Sequence, residues 1–336
     1  MPDTALRALP RRAWRRLTAL FSRRERLIAR VRADKAARAV SPHTHSERPR
    51  LSLILLSFNH RDNIAAIAAG LRRTIAEELI VCDDGSVDGS EREWQRLLSR
   101  PNDFLIRSND VHDSRAYNRA VGLARGEVVC LLQDDDIPPD SGAWAAQALD
   151  LFDRYPRLAV LGGHQGWQLD LSAPSDKVQA REVFGYREAR KWTYAKDIPF
   201  RDAASGLPLM FVQGVSIGPI FYRRDVYLSL GGFSLDYSRP GEVGMLVDHE
   251  LSLRAWLAGH HVALFGPVPF RRYVGGQGTL MFGQATRERN LAHSFAMIQR
   301  QHGDRAPAID AMVDALNQSL AQGAAVGGGT GQQMDP

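Results

Sequence analysis

Two runs of carboxylates stand at the ends of apolar stretches. Asp83, Asp84 and Asp88 follow Leu79-Ile80-Val81-Cys82, and Asp134, Asp135 and Asp136 follow Val128-Val129-Cys130-Leu131-Leu132-Gln133. Neither apolar run leaves residues for a solvent face, so each reads as a buried strand of a parallel sheet. The ends of such strands are where open α/β sheets bind ligands. Clustered like charges repel and lose hydration, so a cation or a hydrogen-bonding ligand is expected to offset them.

The two runs differ in kind. In the segment from Asp83 to Ser90, Gly85 and Gly89 permit positive φ, and Ser86 or Asp88 can cap the helix that follows. Two adjacent aspartates exceed what capping requires. The spacing is not that of an EF-hand, and no Gly-Lys-Ser/Thr phosphate loop is present. A carboxylate here can accept hydrogen bonds from a nucleobase or a ribose. In the second run, alternate residues of an extended segment point the same way. Asp134 and Asp136 are therefore expected to share a face and, as hard oxygen ligands, to hold Mg2+ or Mn2+ on a diphosphate. A third group, Asp248-His249-Glu250, stands where a helix starts. Helix capping and the helix dipole account for its residue types, and a catalytic carboxylate at the same spot accounts for them too.

The elements that must position these groups alternate. Strands are expected at 51–59, near 79–83, at 103–107 and at 128–133, with helices at 61–74, 89–99 and 114–124. This βαβαβαβ order is the signature of a mostly parallel sheet covered by helices. A helix at 141–154 and a strand at 158–162 follow. The stretch 163–212 shows little periodicity and many aromatics, among them Trp167, Phe184, Tyr186 and Trp192. Such a segment is expected to be functional or mobile. Strands at 216–222 and 260–265 and helices at 223–230, 248–257, 284–302 and 305–320 complete the pattern, and residues 322–336 are Gly-rich and expected to be disordered.

Charge is unevenly spread. Residues 1–50 carry 14 Lys/Arg against 4 Asp/Glu, a net +10, whereas the remainder carries −5. A nucleic-acid-binding body is therefore disfavoured. Residues 11–33 read as a basic amphipathic helix with Trp14 and Phe21 on its apolar side. It can lie on an anionic membrane surface, pack on protein, or remain a disordered arm. No apolar run approaches the ~18 residues of a membrane span, and no signal-peptide pattern opens the chain. Cys82 and Cys130 fall inside expected strands and read as core thiols of a reducing compartment. The expected location is cytoplasmic, peripheral to the inner face of the membrane.

Taken in order, Asp83-Asp84-Gly85-Ser86-x-Asp88, Asp134-x-Asp136 and Asp248-x-Glu250-Leu251-x-x-Arg254 resemble the motifs of family-two inverting glycosyltransferases with the GT-A fold. The resemblance covers roughly residues 50–275 and includes Asn118 within 109–127 and the Gly231-Gly232-Phe233 turn. It implies an α/β fold, a Rossmann-like mostly parallel sheet flanked by helices. It implies that Asp83, Asp84, Asp88, Asn118 and Asp134 hold the nucleotide and that Asp134 and Asp136 hold the metal. Asp248 would be the general base. Glu250 would support the acceptor, with Trp167 and Trp192 stacking on sugar faces or serving the core. The donor would be a nucleotide sugar, UDP-linked by default, and the acceptor a glycan or a lipid-linked glycan. Two departures stand out. Tyr117 occupies a position where many relatives have Arg, and Arg271, Arg272 and Tyr273 fill a stretch where some carry a metal-binding His.

The resemblance divides the chain into an arm and linker (1–46), a transferase domain (47–283, its halves meeting near 140), C-terminal helices (284–321) and a tail. Two rival readings remain: a haloacid-dehalogenase-like phosphohydrolase using Asp134, and a non-catalytic, membrane-docked transferase-like module. A dinucleotide oxidoreductase is disfavoured, since no Gly-x-Gly-x-x-Gly follows the first strand.

Overall fold

The computed structural model describes residues 48–169, 171, 190–238, 242–267, 270–272 and 283–323. The basic arm at 11–33, the core of the aromatic segment including Phe184 and Tyr186, residues 273–276 and the Gly-rich tail from 324 lie outside the described residues.

The first half follows the alternation read from the sequence: β1 (Leu51–Ser57), α1 (Arg61–Arg72), β2 (Glu78–Asp83), α2 (Ser90–Leu97), β3 (Phe104–Arg107), α3 (His112–Leu123) and β4 (Val128–Gln133). After the short β5 (Asp136–Ile137) come α4 (Ala143–Arg154), β6 (Leu158–Gly162), β7 (Gln165–Leu169), β8 (Arg190–Tyr194), β9 (Leu209–Phe211) and β10 (Gly214–Val215). Then follow β11 (Ile220–Arg223), α5 (Arg224–Ser229), α6 (Val247–Leu257), β12 (His261–Phe265), β13 (Arg271–Arg272), α7 (Gln284–His302) and α8 (Ala306–Ala321).

Eight strands form one sheet in the order β3-β2-β1-β4-β11-β6-β12-β9. β1 pairs in parallel with β2 and β4, β2 with β3, and β6 with β12. β11 runs antiparallel to both β4 and β6, and β9 antiparallel to β12. β4 and β6 therefore share a direction, and only β11 and β9 are reversed. Chain order turns back between β1 and β4, which is a topological switch point of the kind that opens a ligand crevice.

Hydrophobic burial on both faces explains the apolar runs. Every residue of β2 is buried, and Leu51, Leu53, Ile54 and Leu55 of β1 are inaccessible. α1 packs Ile64, Ile67, Ala68 and Leu71 inward. Trp94, Trp144 and Trp256 are fully buried. Truncating one such leucine to alanine costs about 2–5 kcal/mol by the usual cavity rule. At the opposite end of the strands, Glu78 is buried and accepts from Ser52 Oγ at 2.5 Å, Arg125 N at 2.9 Å and Arg125 Nε at 2.9 Å. A Cβ on Gly126 would meet Ser52 N at 2.6 Å, so the chain can approach there only as glycine.

Two expectations need correction. The stretch 163–212 holds three strands rather than little regular structure. β7 pairs with β10 and β8 in a separate three-stranded sheet, and β9 closes the edge of the main sheet. These strands are short and pair with distant segments, so no local periodicity announces them. The second correction concerns Asp134 and Asp136. β4 ends at Gln133, and Asp134 and Asp135 form a turn rather than an extended segment. The strand alternation that would put Asp134 and Asp136 on one face does not apply.

Candidate active site

The ends of β1, β2, β3 and β4 and the entry to β11 meet at one sheet edge, because β11 runs antiparallel to β4 and enters where β4 leaves. Both acidic runs sit there.

Asp83 and Asp84 divide their work. Asp83 Oδ1 accepts the amides of Gly85 at 3.3 Å and Ser86 at 3.0 Å, closing an Asx-turn that Gly85 enters at φ +96°. Its Oδ2 is buried and has no hydrogen-bond partner. Asp84 instead spends both oxygens on the loop after β3. Oδ1 accepts from Val111 N at 2.9 Å and Oδ2 from His112 N at 2.8 Å. Burial pushes its carboxyl above the ordinary range, and the two amides only partly offset that. Asp88 is a double cap. Oδ2 accepts the amide of Arg61 at the start of α1, and Oδ1 accepts the amide and hydroxyl of Ser90 at the start of α2.

At the second run, Asp134 Oδ2 accepts the Phe58 amide at 2.6 Å, and Oδ1 lies 3.0 Å from His60 Nδ1. That contact bridges the ends of β1 and β4 at the switch point. Asp136 has no solvent exposure, and its Oδ2 folds back to accept the Gln133 amide at 3.0 Å. Asp135, half-buried, occupies the turn between them. The arrangement does not present Asp134 and Asp136 as a ready pair of ligands.

A different group has metal-binding geometry. Asp84, Asp110 and His112 offer ligand atoms that all lie within 4.8 Å of one another. Asp110 and His112 both hold positive φ, at 53° and 63°. Two carboxylates and an imidazole suit Mn2+ or Mg2+, the nitrogen favouring the former. The spacing of these three residues carries no known motif, and only the loop after β3 brings them together.

Asp248 sits in the first turn of α6. Its Oδ2 accepts the Ile217 amide at 3.0 Å and its Oδ1 the His249 amide at 2.9 Å. The side chain is partly accessible. Burial pushes its carboxyl up to about 6, against those two amides, and the negative charge of Asp113 adds to the rise. The helix starts under strain: Leu246, its N-cap, has φ +60°, a region a leucine rarely enters.

Other expected site residues are engaged elsewhere. Glu250 is buried, with Arg254 Nε and Nη2 donating to its two oxygens at 2.7 Å each and His302 Nε2 at 3.3 Å from Oε1. Burial opposes ionisation, yet the hydrogen bonds from His302 and Arg254 outweigh it and hold the carboxyl below the ordinary range. Both of its oxygens thus accept from Arg254 within the fold. Asn118 clamps the glycine turn. Its Nδ2 donates to Phe233 O at 2.8 Å, and its Oδ1 accepts from Tyr227 Oη at 2.6 Å and Phe233 N at 2.9 Å. Trp167 is buried, hydrogen-bonds Ser216 Oγ and lies with its ring 6.3 Å from that of His249. It serves the core beneath α6. The backbone of Trp192 pairs opposite Trp167, and its side chain lies outside the described residues.

Residues 52–204 match the family model described as glycosyl transferase family 2. Over that stretch, just under half of its length, the chain is similar to family 2 glycosyltransferases. The match spans both acidic runs and stops before Asp248. Over 162 residues the chain is 26% identical to the glucosyl-dolichyl phosphate glucuronosyltransferase of Haloferax volcanii, covering 46% of this chain and 47% of that protein. The alignment thus spans about half the length of that curated relative. Among solved structures, the mannosyltransferase PcManGT from Pyrobaculum calidifontis with GDP-Man and Mn2+ aligns at TM-score 0.46 and 16% identity, over 90% of this chain and 83% of that one. TarS from S. aureus with UDP-GlcNAc aligns at TM-score 0.48 and 16% identity, over 70% and 61%. Both likenesses support a glycosyl-transfer role and favour it over the phosphohydrolase alternative. Among the described residues no helix is long and apolar enough to cross a membrane.

Proposed function

We propose that the chain transfers a sugar from a nucleoside-diphosphate donor to an acceptor hydroxyl, with inversion, Asp248 removing the hydroxyl proton. The observation that carries this reading is the Asp248 carboxylate. It is fixed by two backbone amides at a helix start, partly open, and raised to about 6. A base with that pKa is ionised at neutral pH yet more basic than an ordinary aspartate. Asp83 reads the nucleoside through its unsatisfied buried oxygen. Asp84 and Asp88 shape that pocket by holding its loops rather than by touching the ligand.

A divalent cation, Mn2+ or Mg2+, fits this edge. In a displacement with inversion the diphosphate leaves on the face of the anomeric carbon opposite the hydroxyl that Asp248 deprotonates, so the two lie a sugar ring apart in one cleft, and β4 adjoins β11, whose entry segment binds Asp248. Asp134 and Asp135 are therefore the carboxylates that would hold it, with Asp84, Asp110 and His112 two strands further away as the second grouping. Bound, the ion would neutralise charge on the departing diphosphate.

The donor is a nucleotide sugar, UDP-linked in the first instance. The acceptor is a glycan or lipid-linked glycan. The likeness to a transferase named for a glucosyl-dolichyl phosphate substrate supports the lipid-linked class. Residues 11–33 would bring the enzyme to an anionic membrane surface. The test is a donor panel that measures nucleoside diphosphate release with and without Mn2+. Release from at least one nucleotide sugar, lost in Asp248→Asn, is expected. A chain that neither cleaves nor binds any donor is a non-catalytic module instead. For the arm, removal of residues 1–45 is expected to abolish flotation with anionic liposomes.

A further inference from the structure

We infer that His302, at the C-terminal end of α7, is a positioning residue for Asp248 and acts on it through Glu250. The inference rests on the transferase reading, in which Asp248 is the base.

Glu250 follows Asp248 by two positions in the same helical turn, and its carboxylate points inward at 2% exposure. Arg254 grips it with two nitrogens and also donates to the carbonyls of Leu230 and Gly232, the latter at 2.7 Å. This ties α6 to the glycine turn from one side. His302 supplies the other side. Its Nε2 lies 3.3 Å from Glu250 Oε1, and the residue is 7% exposed. Its Nδ1 is buried with no hydrogen-bond partner, so the contact with Glu250 is the single polar use of a buried imidazole. The acceptor is an ionised carboxylate, so Nε2 carries the proton and donates it.

The platform beneath His302 is firm. Gln301 Oε1 accepts from Tyr237 Oη at 2.6 Å, and Gln299 Nε2 donates to Leu171 O at 3.1 Å. The last turn of α7 is thus fastened to two segments besides α6. The start of α6 needs such a hold, because Leu246 keeps a left-handed conformation there. A base displaced by about 1 Å loses on the order of a hundredfold in rate. Lateral support for the turn that carries Asp248 therefore bears on turnover, and not only on stability. A histidine that merely pinned α7 to the body would lower stability and leave the turnover of folded enzyme alone.

The test uses the full chain with His302→Ala and His302→Gln, whose Nε2 can stand where the imidazole Nε2 stands. Nucleoside diphosphate release from the nucleotide sugar that the wild type cleaves gives kcat and KM. Deuterium uptake reports on residues 247–251. In His302→Ala, kcat is expected to fall about ten- to a hundredfold with donor KM within about threefold, and exchange to quicken at 247–251 but not in β1 or β4. His302→Gln is expected to recover most of the kcat. Should the alanine variant not fold, His302→Asn, too short to reach Glu250, replaces it. An alanine variant with kcat within twofold of wild type overturns the inference. So does a glutamine variant no better than alanine, or a rise in exchange spread evenly over the sheet. A wild type that cleaves no donor overturns instead the transferase reading, and the exchange data still report whether His302 holds the helix start.

Discussion

Asp248 Oδ2 accepts the amide of Ile217 at 3.0 Å, joining the first turn of α6 to the segment that enters β11. This bond brings a carboxylate from far along the chain to the sheet edge where both acidic runs end. Replacing Asp248 by asparagine keeps the shape and removes the proposed base. Turnover is expected to fall about 10²–10⁴-fold, the usual share of general base catalysis, with nucleoside diphosphate affinity within a fewfold of wild type. Steady-state kinetics and calorimetric titration measure the two. A variant that turns over normally would assign the proton transfer elsewhere.

The rate should also carry the titration of that carboxylate. Only the ionised form accepts a proton, and burial raises its pKa to about 6. The rate constant kcat/KM is therefore expected to be flat above about pH 7 and to fall about tenfold per unit below pH 6. An ordinary aspartate would keep the rate flat to about pH 4. Rates measured between pH 4.5 and 8 distinguish the two, and the acid limb should vanish from the residual activity of Asp248→Asn.

Asp83 and Asp84 adjoin in sequence and should part in function. Asp83→Asn retains an oxygen for the Asx-turn and changes the unpartnered buried one. It is expected to weaken nucleoside diphosphate binding at least tenfold while stability changes by about 1 kcal/mol or less. Asp84→Ala leaves two amides without their acceptor. It is expected to cost about 2–4 kcal/mol, which urea denaturation would read. Equal loss of binding in both, with unchanged stability, would contradict this division.

The sheet and the acidic ends of its strands were legible in the sequence, but not which way each carboxylate turns. Apolar runs with no solvent face could only be buried strands, so β1, β2 and β4 and their acidic ends were legible. Local pattern cannot say which way a carboxylate turns. Asp88, Asn118 and Glu250 have residue types suited to binding, yet their hydrogen bonds run to helix starts, to the Phe233 backbone, and to Arg254 and His302. Strand alternation cannot relate Asp134 to Asp136, because β4 ends at Gln133 and a turn at Asp134 and Asp135 separates it from β5. His302 and the group of Asp84, Asp110 and His112 left no signal in spacing, since each is assembled by loops and helices that meet only in the fold.

The turn after β4 yields the last prediction. Asp135 occupies it half-buried, while Asp136 is wholly inside and hydrogen-bonded to the Gln133 amide. A divalent ion on the diphosphate should lie on the β4 side, next to the segment that binds Asp248, rather than two strands away at His112. Chelation is expected to remove activity and Mn2+ to restore it in the wild type. Asp135→Ala should raise the Mn2+ concentration needed for half-maximal rate at least tenfold, with little change in stability. His112→Ala should leave that concentration within about twofold. Asp136→Ala should instead cost about 1–3 kcal/mol, because it strips a buried amide of its acceptor. A Mn2+ requirement moved by His112→Ala and not by Asp135→Ala would place the ion at Asp84 and Asp110, whose ligand atoms lie within 4.8 Å of His112.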